Sequence, residues 1–123
     1  MSPHLRALLL CALSVPISAP YAATYAHTLS GDQFVHMMKR PEPLSSYDYM
    51  QREKAYSYLD GARDAVEGRV WCDVDQLKTP DMAYELADDI SKMPTAKRRK
   101  NASSLLLDLL QRKYPCRHAG GKQ

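Results

Sequence analysis

Proline and glycine divide the chain beyond residue 29 into segments whose apolar residues recur every three or four positions, and no segment alternates apolar with polar as a half-buried strand would. The clearest is TPDMAYELADDISKMP, residues 79–94. Thr79 is placed to cap the first turn, Pro80 suits the first helical position, where its missing N–H is no loss, and Asp81 complements the positive end of the helix dipole. Met82, Leu86, Ile90 and Met93 form the inner stripe, with Ala83 and Ala87 beside them, and Pro94 ends the helix. Patterning of this kind predicts an all-α fold, a compact bundle of about four helices.

The other helices follow from the same periodicity. Ser30 and Gln33 have capping-box spacing, and Phe34, Met37 and Met38 supply a short apolar face before the breaker RPEP. A second helix begins near Ser45 or Ser46 and runs to about Glu67, where Gly68 suits the left-handed position after a helix end. Its inner stripe is Ala55, Leu59, Ala62 and Val66, opposite Glu53, Ser57, Asp60, Asp64 and Glu67. Tyr47 and Tyr58 flank the stripe on one edge, Tyr49 and Tyr56 on the other, as boundary packing or as aromatic anchors for a partner. Gly61 and Ala65 lie one turn apart beside Tyr58. A mid-helix glycine costs about 1 kcal/mol against alanine, so Gly61 marks either a close approach by another helix or drift on a solvated flank. The last helix starts between Thr95 and Asn101 and ends near Tyr114. Ala102, Leu105, Leu106, Leu109 and Leu110 cover nearly half its circumference, which makes it the central helix or one that also faces a partner, and favours a homodimer built on helix packing.

Before these segments stands MSPHLRALLLCALSVPISAPYAATYA, with Arg6, an apolar run from Ala7 to Val15 and a small-residue end. This reads as a secretory signal peptide, too short to span a bilayer. The cut is expected between Ala22 and Ala26, giving a leader of residues 1–23 and a single helical domain over residues 24–123. Cys11, preceded by Leu10 rather than a small residue, leaves with the leader. Cys72 and Cys116 remain. In an oxidising compartment an isolated pair is expected to form one disulfide, the alternative being two buried thiols. Closing a loop of this length restricts the unfolded chain by roughly 4 kcal/mol in the chain-entropy treatment. Loss of Arg6 leaves a net charge of about +2 from the full chain's +3, too mild to imply nucleic acid. No second apolar run approaches membrane-spanning length, so no membrane insertion is expected once the leader is removed.

Signatures of catalysis are missing from the sequence: no serine nucleophile elbow, no zinc-type HExxH, no phosphate-cradling glycine loop and no paired-cysteine metal motif. Oxidation of Cys72 and Cys116 removes the remaining thiolates. Asp88 and Asp89 are adjacent on a helix, diverge by about 100° and do not converge on one substrate. No enzyme, cofactor or metal is expected. The most distinctive surface feature is Lys97, Arg98, Arg99 and Lys100 in AKRRKNAS, read either as a solubilising helix start or as a contact for an acidic partner.

The series YLDGARDA, GRVWC, TPDMAYELADDI, MPTAKRRKNASSLLLDLL and the ending RKYPC resembles the immunity proteins that protect bacteria from type VI secretion amidase effectors. The resemblance covers roughly residues 55–116. Tyr58 and Gly61 followed by Asp64, Trp71 with Cys72, and the Pro-Cys ending carry it jointly. It implies a small helical periplasmic protein that dimerises, binds a cognate amidase effector and occludes the cleft of that peptidoglycan-cleaving enzyme. It also implies that Gly61 marks a close helix approach. The chain departs from the pattern in lacking a further cysteine pair in its first half and in its heavier basic run. An alternative from another class is a small disulfide-linked helical periplasmic stress chaperone, which would bind many unfolded clients weakly instead of one partner tightly.

Overall fold

A computed structural model of the chain describes Ala26 and residues 28–117, which form five helices: α1 (Gly31–Met37), α2 (Ser46–Asp64), α3 (Thr79–Ser91), α4 (Thr95–Arg98) and α5 (Ala102–Lys113). No strand occurs among the described residues. The leader, its cleavage point, Cys11, His27 and His118 lie outside them. The fold is the all-α bundle that the periodicity predicts, with one more helix because the expected last helix is split. The split has a long-range cause. Gly31 N–H donates to Lys100 O at 3.0 Å and Ala102 N–H to Leu29 O at 2.8 Å, drawing the chain at Lys100 and Asn101 out of helix and onto the start of α1. Asn101 then caps α5, its Oδ1 accepting the Ser103 N–H at 3.0 Å.

The predicted capping box of α1 is present: Gln33 N–H donates to Ser30 Oγ at 3.2 Å and Ser30 N–H to Gln33 Oε1 at 2.7 Å. A second box, Ser45 with Asp48, starts α2. At α3 the expectation needs correction, because Lys78 is the cap residue and Thr79 is already helical. The Thr79 hydroxyl donates instead to Asp60 Oδ1 at 2.5 Å, tying the start of α3 to α2. The end of α2 also comes earlier than expected, at Asp64. Gly68 does take a positive φ of 76°, but in the turn beyond, where its N–H donates to Trp71 O at 2.8 Å and folds the chain back. That reversal sets the Trp71 indole against the helix end, where Nε1 donates to Arg63 O at 2.8 Å.

The core is made by Phe34, Leu59, Trp71, Met82, Leu86, Ile90, Leu106 and Leu110, each under 2% exposed. Each such burial contributes about 1.5–3 kcal/mol of transfer free energy. α1 touches all four other helices, and α5 packs on α1, α2 and α3. The wide apolar face of α5 is therefore consumed inside the protomer, with Ala102, Leu105, Leu106, Leu109 and Leu110 all buried, and it offers no surface to a second copy. Gly31 permits this crowding. A Cβ there would lie 2.6 Å from Leu105 Cδ1 and 2.7 Å from Arg98 O.

Cys72 and Cys116 form the expected disulfide, S–S 2.06 Å, joining the segment after α2 to the end of α5. Cys72 N–H donates to Tyr114 O at 3.0 Å, and Trp71 and Tyr114 meet edge to face at 6.4 Å.

Candidate partner-binding surface

The basic run occupies α4 and the turn after it. Lys97 and Arg98 sit in the last turn of α4, where a cation complements the negative end of the helix dipole. Its four members separate into two roles. Arg98 holds the fold: its Nε donates to Asp32 Oδ1 at 2.7 Å, and its Nη1 to Met93 O at 3.0 Å and Ser91 O at 3.2 Å. It ties α4 to α1 and to the end of α3, and is not a free surface cation. Arg99 and Lys100 are exposed and Lys97 half-buried, leaving these three to carry surface charge.

Gly61 and Ala65 are exposed on α2, and a Cβ at Gly61 would meet nothing within 4 Å. The close approach by another helix is absent within the protomer, because α2 turns its Ala55 and Leu59 face to the core and this flank to solvent. Tyr47, Met50, Lys54, Tyr58, Gly61 and Ala65 follow one another at three- and four-residue steps and so share one face. Tyr47 is 63% and Met50 52% exposed on that face, with Leu44 and Tyr49 exposed nearby. Tyr58 differs, since its hydroxyl accepts the Ser103 N–H at 3.1 Å and donates to Asn101 Oδ1 at 3.3 Å. It is boundary packing that fixes the start of α5.

Two features escaped sequence reasoning because their members are far apart in the chain. In the first, Lys113 Nζ contacts Glu85 Oε1 at 2.6 Å and Asp89 Oδ2 at 2.7 Å, and the Tyr114 hydroxyl donates to Glu85 Oε2 at 2.7 Å. The Lys113 hydrogen bond, reinforced by Tyr114, holds the Glu85 carboxyl below the usual range, while burial and then the Glu85 carboxylate push Tyr114 up to about 12. The second is centred on Tyr84 of α3. Arg40 lies over its ring, 3.6 Å from the centroid, Arg52 Nη1 donates to its hydroxyl at 2.9 Å, and Tyr56 meets it edge-on at 6.5 Å. Burial alone would raise the Tyr84 hydroxyl, but hydrogen bonds from Tyr56, Arg52 and Arg40 outweigh it and lower it. The only hint in the sequence is the i, i+4 spacing of Arg52 and Tyr56.

An open cleft of about 350 Å³ between α1 and α2 is lined by Leu29, Asp32, Gln33, His36, Met37 and Gln51. Asp32 in its wall is already taken by Arg98. No group of three or more His, Cys, Asp or Glu able to hold a metal ion occurs among the described residues. No helix among them is long and apolar enough to cross a membrane.

The family model described as Rap1a immunity proteins matches residues 30–116, from the cap of α1 to the second disulfide cysteine. A search of curated proteins finds no match.

Proposed function

Because the chain belongs to the Rap1a immunity proteins, a type VI secretion immunity family, we propose that it acts in the periplasm by binding a peptidoglycan amidase effector and covering its active site. The family match over all five helices carries this reading. The protein works here as a non-catalytic inhibitor, its helices and disulfide holding a preformed surface. Arg99, Lys100 and Lys97 are assigned to the rim of the contact, where charge acts mainly on association rate. The signal peptide delivers the chain to the compartment in which the effector attacks the wall.

A homodimer belongs to the same proposal. With the α5 face buried, the dimer surface is assigned to the exposed α2 flank, where Gly61 and Ala65 allow a second helix to approach and Tyr47 and Met50 supply apolar area. Light scattering at micromolar concentration is expected to give twice the protomer mass, and Gly61→Arg to halve it. A monomer at all concentrations removes the dimer and leaves the inhibitor.

The deciding experiment places the chain, with its own leader, in cells that also export the amidase. Rescue of growth, stoichiometric inhibition of peptidoglycan cleavage by purified protein, and a mature N-terminus cut between residues 22 and 26 are expected. Cells that lyse equally with and without the chain would overturn the reading.

A further inference from the structure

We propose that Arg40, Arg52 and Tyr84 form a receptor for a carboxylate, and that its occupant is an acidic side chain of the effector; this rests on the effector-binding reading above. The cations reach Tyr84 from separate elements, Arg40 from the segment after α1 and Arg52 from α2. Arg40 stacks 3.6 Å from the ring centroid and Arg52 holds the hydroxyl at 2.9 Å. Among the described residues neither guanidinium has a carboxylate within 4.0 Å. Asp48, one turn before Arg52 on α2, is occupied by the Ser45 N–H and hydroxyl.

That pattern differs from that of the other cations that tie helix to helix or turn to turn. Arg63, Lys92, Arg98, Arg112 and Lys113, which hold helices to themselves or to one another, each have an acidic partner. At Tyr84 two like charges are brought to one aromatic ring with no carboxylate in ion-pair contact among the described residues, Asp48 acting on Arg52 only from a distance. An anion between them relieves their repulsion and meets the remaining N–H groups in the fork geometry that guanidinium offers to carboxylate. Stacking on the ring restrains Arg40 beforehand, which reduces the side-chain freedom lost on binding.

The surroundings suit a protein side chain. A cleft of about 210 Å³ beside Tyr84 is lined by Val35, Met38, Ala87 and Lys39, an apolar floor with a third cation at its edge. Asp88 on the same rim is taken by Lys92. A carboxylate carried on a short aliphatic stem fits this arrangement, and arginine and tyrosine are the residue types that most often dominate the energetics of protein contacts.

The test uses the processed protein and its purified effector, with affinity measured by titration calorimetry over a range of salt. Arg40→Gln with Arg52→Gln is expected to weaken binding about 100-fold and to lower the salt dependence, with helical content and the disulfide unchanged. Tyr84→Phe keeps both charges but frees Arg52, and is expected to lose about 3- to 10-fold. Arg52→Glu should be rescued by a Lys substitution at one acidic position on the effector. Should the glutamine pair perturb folding, Arg40→Lys with Arg52→Lys retains charge without the fork and is expected to lose about 10-fold. Unchanged affinity and salt dependence in the glutamine pair would overturn the receptor and leave the immunity reading standing. Failure of every acidic-to-Lys change to rescue Arg52→Glu would overturn the carboxylate as occupant. If the wild-type protein binds no effector, both readings fall.

Discussion

Two glycines of similar appearance in the sequence have opposite surroundings. At Gly31 a side chain would meet Leu105 and the Arg98 carbonyl, and the backbone atom cannot move without disturbing α4. Gly31→Ala is expected to destabilise the fold by about 1–3 kcal/mol, the usual cost of overpacking a core. At Gly61 the space is open, so Gly61→Ala should stabilise the isolated protomer by about 0.5–1 kcal/mol through helix propensity. Urea denaturation of both variants checks the pair, and equal effects would contradict the packing described. Arginine identity is similarly divided. Arg98→Gln removes three of the donor contacts that join α4 to α1 and α3 and should cost about 1–3 kcal/mol, whereas Arg99→Gln, exposed, should change stability by less than about 0.5. A test of the basic rim therefore belongs at Arg99 and Lys100, since a change at Arg98 would alter folding as well as binding.

Between elements, the contact of α5 with α3 through Lys113, Glu85, Asp89 and Tyr114 makes stability pH-dependent at both extremes. Glu85 has a folded value below its ordinary 4.5, so its contribution is present at neutral pH and is lost as pH falls from that value through the lower folded one. Tyr114 has a folded value of about 12 against an ordinary 10.0, so its contribution is present below pH 10 and is lost as pH rises from there towards 12. Denaturation midpoints measured against pH should fall on both sides, and Glu85→Gln should flatten the acid limb while leaving the fold intact. An acid limb unchanged in Glu85→Gln would show that other carboxylates govern it. The helix starts act on a smaller scale: Ser30→Ala removes one half of a capping box and should cost about 1 kcal/mol.

For the molecule as a whole, the disulfide closes a 44-residue separation and joins the Trp71 turn to the end of α5. Reduction, or Cys72→Ser with Cys116→Ser, should lower stability by about 4 kcal/mol, a large part of the roughly 5–15 typical of a small domain. Denaturation with and without reductant measures it, and an unchanged midpoint would contradict a stabilising role. Apolar periodicity, capping-box spacing and two cysteines determined without reference to the fold that α1, α2, α3 and α5 form, which faces they bury and which bridge closes, since each of those depends on local geometry or on a choice among very few partners. Tertiary structure alone decided the break at Lys100 and Asn101, the transfer of the Thr79 hydroxyl to Asp60, the pairing of Arg98 with Asp32, and the gathering of Arg40 and Arg52 on Tyr84. The reason is common to all four. Each joins groups distant in sequence, whose meeting depends on how the helices pack and leaves no periodic trace in the segments that supply them.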